Sequence, residues 1–376
     1  MLSSLDLFSG IGGMTLALHG AAKPVLYCDI SEPAKRVLRT NMQRGWLPEA
    51  PIVEDVRNVT RENVHENIDL ICAGFPCVGF SSAGKKQGFR NEHTNIYYEL
   101  VRVLGEIRPS LAFFENVPGV LAGFEQIRQD MSRLGYAMAW CMLACHEVGG
   151  YQRRKRWFAI VFREDDPGTF DKLQMALERS RADSIMDWKN TPMPIKTSEK
   201  SDSVRPQLLG NSVVPDVARV AFRFLAKVIL RKQESIVLDK TTNEPGDFGY
   251  FDSTGTLYHA LSKQFVRKAM EYKSGEFPPI VLDPSVWTTD KPPQSLPHYS
   301  GFLHEPVTKS LFATPRYGNA STGTNYLTKR GLQDLQTQVR FVRDGQPKYR
   351  YTNPEFVEWI MGFPNSWTDV PSSSDT

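Results

Sequence analysis

Ser4-Leu5-Asp6-Leu7-Phe8-Ser9-Gly10-Ile11-Gly12-Gly13 is a short apolar strand running into a glycine turn, and Met14 to Ala21 then carries a helical pattern. Glycines at this place let backbone approach a ligand at the carboxyl end of a strand, the usual ligand position of an open α/β sheet. Val25-Leu26-Tyr27-Cys28 predicts a second strand ending at Asp29, followed by a helix over Glu32 to Asn41. Ile68 to Ala73 and Leu111 to Phe114 are continuous apolar runs, which suit strands buried on both faces of a parallel sheet. Alternation at this spacing predicts a doubly wound, mostly parallel α/β domain with a Rossmann-like sheet. Ala137 to Cys145 and Trp157 to Phe162 lie close enough in sequence to pair as an antiparallel edge.

The regularity ends near Arg163. Residues 164–205 are polar and read as a connection, and Asp216 to Lys232 is helical, with Val217, Val220, Ala221, Phe224, Leu225 and Val228 on one face. From about 240 to 345 the chain is rich in Gly, Pro, Thr and aromatics without a βαβ rhythm, which predicts a second, irregular domain.

With 376 residues, 41% hydrophobic and 23% charged, the chain has the composition of ordinary globular proteins. No apolar run is long enough to span a membrane, and the N-terminus lacks a basic segment followed by an apolar one, so a cytoplasmic protein is expected. Five cysteines without a CxxC pair predict neither a disulfide framework nor structural zinc. The net charge of +3 neither demands nor excludes a nucleic-acid partner.

The glycine turn alone fits a dinucleotide or another adenosine-containing cofactor. Asp29, ending the second strand, is placed to accept hydrogen bonds from ribose hydroxyls, and Asp55-Val56 to close on an adenine edge. Gly74-Phe75-Pro76-Cys77-Val78-Gly79-Phe80-Ser81-Ser82 follows the third apolar strand. Cys77, between a proline and a Gly/Ser-rich loop, is a candidate nucleophile, whereas Cys28, Cys72 and Cys141 read as small buried hydrophobes. Glu115-Asn116-Val117 follows the next strand, so the Glu115 carboxyl is a candidate acid in the same crevice. In Gln152-Arg153-Arg154-Lys155-Arg156, strand alternation turns Gln152, Arg154 and Arg156 to one side.

Together these motifs resemble, in order and spacing, those of the cytosine-C5 DNA methyltransferases. Gln207-Leu208-Leu209-Gly210-Asn211-Ser212-Val213-Val214-Pro215 resembles that family's last motif, and Asn353 to Pro364 the motif that normally precedes it. The Gly-Asn-Ser-Val motif here comes before the irregular region, so the chain reads as a rearranged member. The expected units are a catalytic domain over residues 1–235, a target-recognition domain over 236–349 and a C-terminal segment over 350–376 that returns to support their junction. Val78 stands where a glutamine is common, and His93-Thr94 where many members have Arg-Gly.

The resemblance implies that Cys77 adds to C6 of a flipped cytosine in duplex DNA while Glu115 donates to N3. Arg156 would hold the base carbonyl, and Arg154 an adjacent phosphate or the loop around Cys77. It implies S-adenosylmethionine as cofactor, held by Phe8, Ser9, Gly10, Ile11, Gly12, Gly13, Asp29, Ile30, Asp55, Val56, Pro76, Ile96, Asn211 and Ser212. It also implies a monomer of bacterial or phage origin, with no metal and no membrane, and a cognate restriction endonuclease as a candidate partner. Trp287, Arg316, Tyr317, Asn319, Lys329 and Arg330 are candidates for DNA contact.

The rivals explain less. The tRNA-modifying cytosine methyltransferases share the catalytic motifs but carry a Cys-Phe-Thr tripeptide that is absent here. A Cys77–His93 protease dyad has no accompanying hydrolase signature. A nicotinamide oxidoreductase leaves Pro76-Cys77 and the basic run unexplained, and a silent DNA-binding subunit has no need of Cys77, Glu115 and Arg156.

Overall fold

Successive apolar residues alternate between the two faces of a sheet, and each face has a core of its own. Leu5, Leu7, Ile71, Ala73, Ala112 and Phe114 share one core, and Leu70, Cys72, Leu111 and Phe113 the other. The computed structural model describes residues 1–76, 95–148, 150, 152, 154–180, 195–197, 204–232, 248–259, 327–328, 331–332 and 350–371.

The chain order begins with β1 (Leu2–Leu7), α1 (Gly13–Ala17), β2 (Ala22–Cys28), α2 (Glu32–Gln43), β3 (Ile52–Val53) and β4 (Leu70–Ala73). There follow α3 (Asn95–Ile107), β5 (Leu111–Asn116), α4 (Phe124–Arg133), β6 (Tyr136–Ala144), β7 (Lys155–Arg163), α5 (Thr169–Arg179), β8 (Ile195–Thr197), α6 (Val204–Asn211) and α7 (Pro215–Lys232). After β9 (Phe248–Phe251) and β10 (Leu257–His259) come the short strands β11 (Leu327–Thr328) and β12 (Gly331–Leu332), then β13 (Arg350–Thr352) and α8 (Pro354–Ile360).

The main sheet has nine strands in the order β10-β9-β6-β7-β5-β4-β1-β2-β3. β3, β2, β1, β4 and β5 pair in parallel, and β7, β6, β9 and β10 continue the sheet in antiparallel. From β1 the chain winds outward through β2 and β3, then returns to lay β4 on the other side of β1. That reversal makes the carboxyl ends of β1 and β4 the topological switch point, where such sheets bind ligands.

Three sequence expectations are corrected. The β6–β7 pair is internal, because the hairpin β9–β10 pairs onto β6 and forms the edge. Residues 248–259 therefore belong to the catalytic sheet, and the boundary expected after residue 235 falls too early. Tyr250 Oη donates to Glu164 Oε1 (2.6 Å), fixing the hairpin to the end of β7. The polar stretch after Arg163 also contains a full helix, α5, whose Leu173 and Ala176 are buried. Polar residues on its outer face hid that apolar side. Arg223 of α7 donates to the carbonyls of Leu177 (3.1 Å) and Ser180 (2.5 Å), tying the two helices together.

The C-terminal segment is integral to the catalytic domain. Asn353 caps α8, with Oδ1 accepting from the Glu355 amide, and Pro354 opens its first turn. Phe356, Val357, Ile360 and Met361 are buried as their spacing predicts, and Trp359, Phe363 and Trp367 join them in one core with Val213 and Leu209. β13 pairs antiparallel with β8, linking both ends of the region between them. Among the described residues, no helix is long and apolar enough to cross a membrane.

Candidate active site

The side that the resemblance assigns to the cofactor is built around the glycine turn. Where β1 ends, Ser9 N donates to Cys28 O (3.0 Å), and Cys28 N donates to Ser9 Oγ (3.0 Å), so the turn is fixed to the end of β2. Gly12 N donates to Ser9 O (2.9 Å) and closes the turn. Gly10 and Gly12 have φ of 53° and 85°, a region costly for residues with a Cβ. The space around them differs: nothing lies within 4 Å of a Cβ on Gly10, whereas one on Gly12 would stand 2.7 Å from Leu47 Cδ1. Gly10 therefore faces open space, whereas a side chain at Gly12 would be strained by its φ and would push on Leu47.

Asp29 lies one residue past β2. Its Oδ2 accepts from Gly10 N (2.7 Å) and its Oδ1 from Ser31 N (2.8 Å). Burial pushes its pKa up, opposed by those two amide bonds and by Lys35. Ile30 projects beside it, 77% exposed, an apolar side chain in water next to a carboxylate. Asp55 caps a short 3-10 turn, accepting from the Arg57 amide (2.9 Å) and guanidinium (3.1 Å). Gly13 brings in the Asn211-Ser212 motif: a Cβ there would lie 2.9 Å from Ser212 Oγ and 2.8 Å from Val213 Cγ1. Asn211 is exposed, while Phe8 and Ile96 are half-buried and Pro76 is exposed. The side chains of Ile11 and Val56 are packed in the core, so only their backbone can meet a ligand.

The substrate side is built from side chains. β4 and β5 pair in parallel up to Ala73 and Phe114; Gly74-Phe75-Pro76 then leaves the sheet beside Glu115-Asn116, which continue β5 against Phe158 and Trp157 of β7. Asn116 Nδ2 donates to Phe75 O (3.0 Å), and Val117 N donates to Asn116 Oδ1 (2.8 Å). Asn116, which sequence reasoning left without a role, thus locks the segment that leads into Cys77. Glu115, with 13% of its side chain exposed, faces Arg156 at the start of β7, Oε1 to Nε 3.0 Å. Its Oε2 is 3.4 Å from where a Cβ on Gly74 would be, so Gly74 runs alongside the carboxylate.

Arg154 does not take the phosphate role expected of it. It is buried, with Nη1 donating to Gly210 O (3.1 Å) and Nη2 to Ser212 O (2.5 Å), and no DNA phosphate can reach a guanidinium so enclosed. It holds the turn carrying Asn211 and Ser212, and desolvation pulls its pKa down. Gln152 is buried as well, donating to Ile360 O (2.8 Å) in the C-terminal segment. Of Gln152, Arg154 and Arg156, only Arg156 meets the acid.

Cys77, Val78, His93, Thr94 and the six candidate DNA contacts lie outside the described residues. The other four cysteines are buried. Burial pushes the thiols of Cys28 and Cys145 up to about 12, and those of Cys72 and Cys141 upward too. At neutral pH they are protonated and unreactive. Among the described residues, no group of three or more His, Cys, Asp or Glu is placed to hold a metal ion.

A sheet reversing at β1 and β4, with a glycine turn at that reversal and an acidic residue ending β2, is the fold of class I methyltransferases. The chain belongs to the C-5 cytosine-specific DNA methylase family, which it matches over residues 2–376, and is thus a DNA (cytosine-5-)-methyltransferase. It is 29% identical over 384 residues to the type II methyltransferase M.CviJI of Paramecium bursaria Chlorella virus IL3A, covering 96% of each chain. It is 31% identical over 170 residues to M.HhaI of Haemophilus parahaemolyticus, covering 44% of this chain and 50% of that one. It is 39% identical over 141 residues to M.Eco47II of Escherichia coli, covering 36% and 33%. The chain thus spans nearly all of one relative and half or less of the other two. The S. pombe Dnmt2 methyltransferase structure is 24% identical, with a TM-score of 0.37 over 44% of this chain and 52% of that one. Family membership implies S-adenosylmethionine as methyl donor.

Proposed function

We propose that the protein methylates C5 of a cytosine flipped out of duplex DNA, through a covalent bond between Cys77 and C6. The observation that carries this is the Glu115–Arg156 pair at 3.0 Å, beside the segment leading into Cys77 and at the same sheet edge as the glycine turn.

C5 of cytosine is a weak nucleophile until the ring's aromaticity is broken. The Cys77 thiolate forms a bond to C6 while Glu115 donates to N3, and the electron pair displaced from the 5,6 double bond makes C5 nucleophilic. Arg156 holds Glu115 in place and is the residue assigned to the base carbonyl. After C5 is methylated, water takes the C5 proton, and Cys77 leaves as the double bond re-forms. Covalent catalysis of this kind replaces one hard step by several easier ones. Neither C5 nor C6 is reachable inside a duplex, so the base must leave the stack.

S-adenosylmethionine supplies, when bound, an electrophilic methyl group. The residues fit it. Gly10 leaves open space, the Asp29 carboxylate stands at the end of β2 for ribose hydroxyls, exposed Ile30 offers an apolar face to adenine, and Ser212 stands over Gly13, preceded by exposed Asn211.

Duplex DNA with 5-fluorocytosine at the target cannot lose the group at C5 and traps the adduct. Wild type should form a denaturation-resistant complex and Cys77→Ser should not, while still binding DNA and cofactor. A serine variant that methylates at the wild-type rate refutes the covalent mechanism.

A further inference from the structure

Trp367 lies 356 residues beyond the glycine turn in sequence, yet its indole Nε1 donates to Ile11 O at 2.9 Å. Ile11 is the residue between Gly10 and Gly12, so the bond falls at the centre of the turn. From the structure we infer that Trp367 is a positioning residue for the methyl donor, acting through the carbonyl of Ile11. The inference rests on the proposal that this turn holds S-adenosylmethionine.

Several contacts hold the indole still. Asn41 Nδ2 donates to Trp367 O (3.0 Å), so α2 fixes the backbone of the same residue. Trp46 stacks on the indole at 6.0 Å with planes 12° apart, and Phe363 packs at 5.5 Å on its way to Gly13. Glu358, wholly buried, accepts from the amides of Ser366 (2.8 Å) and Thr368 (2.7 Å) on either side of Trp367. Arg205 pairs with the same carboxylate at 3.0 Å and neutralises it.

This degree of fixing exceeds what packing one ring requires. A turn with three positive φ angles, at Phe8, Gly10 and Gly12, offers its backbone several alternative directions, and a buried donor on the Ile11 carbonyl selects one. Without that donor, Ile11 O is a buried acceptor lacking its partner, and the turn relaxes to recover one. The amide of Gly10, which Asp29 also holds, moves with it.

The test uses the full-length chain and S-adenosylmethionine itself. Trp367→Phe keeps a ring in the stack and loses the N–H. The Kd and KM for S-adenosylmethionine should rise roughly tenfold, the scale of one buried hydrogen bond. kcat at saturating cofactor should stay within about twofold, and so should the affinity for target DNA. Replacing Trp367 by its benzothienyl isostere, which keeps the shape and exchanges N–H for sulfur, covers the case in which the phenylalanine variant does not fold. It should give the same rise. Trp46→Ala removes the stacking neighbour, keeps the donor and should leave cofactor affinity unchanged.

Wild-type affinity in both position-367 variants, or an equal rise in Trp46→Ala, shows that Trp367 only packs. A wild-type protein that fails to bind S-adenosylmethionine overturns the proposed site, and this inference with it.

Discussion

The two halves of the crevice are built from different materials. On the cofactor half, backbone amides are held by carbonyls and by two short side chains: Ser9 N on Cys28 O, Gly12 N on Ser9 O, Cys28 N on Ser9 Oγ and Gly10 N on the Asp29 carboxylate. On the substrate half, side chains do the holding: the Arg156 guanidinium sets the Glu115 carboxyl, and the Asn116 amide holds the Phe75 carbonyl just past β4. A backbone cradle binds whatever fits its shape and tolerates side-chain change. A carboxyl with the proposed task of delivering a hydrogen bond to one ring nitrogen tolerates almost none, because its position and its protonation both matter. Substitutions on the substrate half should therefore reduce turnover, and those on the cofactor half should reduce affinity.

The largest effect is expected at Glu115. Glu115→Gln keeps the shape and can still accept from Arg156, but cannot act as an acid. Its kcat should fall by about 10²–10⁴, the usual contribution of a positioned acid, with KM for S-adenosylmethionine within about threefold. Single-turnover methylation of a duplex substrate measures both. A variant with normal kcat and raised KM would erase the contrast between the halves.

Asp29→Ala sharpens the contrast from the other side. It removes the acceptor for ribose and also the anchors of the Gly10 and Ser31 amides. A hydrogen bond to a charged group contributes about 1.5–3 kcal/mol, so the Kd for S-adenosylmethionine should rise roughly tenfold to a hundredfold. Calorimetry gives that number directly, and kcat at saturation should change little. Asp29→Asn keeps one acceptor and should fall between.

How far the sequence could foretell this follows from the same contrast. The cofactor half was legible because left-handed turns demand glycine, and Gly10 and Gly12 occur where a strand pattern ends. Even so, sequence could not tell that Gly12 answers to Leu47 and Gly10 to open space, since that depends on what packs behind each. The substrate half was legible only through resemblance. Nothing in the spacing of Glu115 and Arg156 says that they meet, because β5 and β7 are joined by a register that local pattern does not encode. Arg154 shows the cost: alternation put it on the same side as Arg156, but could not reveal that the turn after α6 already uses it. The helix α8 and its apolar face were readable from periodicity, whereas the Trp367 bond to Ile11 links residues whose separation in sequence leaves no local signal.

The smallest effect on turnover is expected beneath the cofactor half, at Asp6. Its carboxyl is buried under the glycine turn, where Thr15 Oγ1 donates to Oδ2 at 2.6 Å and Oδ1 has no hydrogen-bond partner among the described residues. Burial pushes its pKa up to about 7, with the Asp29 charge adding to the rise and the Thr15 bond opposing it. Tyr27, Cys28 and Cys72 surround it as neutral groups, their own pKa values also raised chiefly by burial. In the unfolded chain Asp6 would ionise near 3.9, so between about pH 4 and 7 the folded state holds the extra proton. Its contribution to stability is thus complete below about pH 4 and is lost as pH rises through about 7. Asp6→Asn puts a neutral amide in the same volume, able to accept from Thr15 and to donate where Oδ1 stands, and it removes the titration. The Tm difference, wild type minus variant, should therefore fall by several degrees between pH 5 and 8, with kcat at saturating cofactor within about twofold throughout. A difference that stays flat, or grows with pH, means that Asp6 is ionised in the folded protein. The buried base of the cofactor half would then carry a charge, and its contrast with the substrate half would lie only in the turn above it.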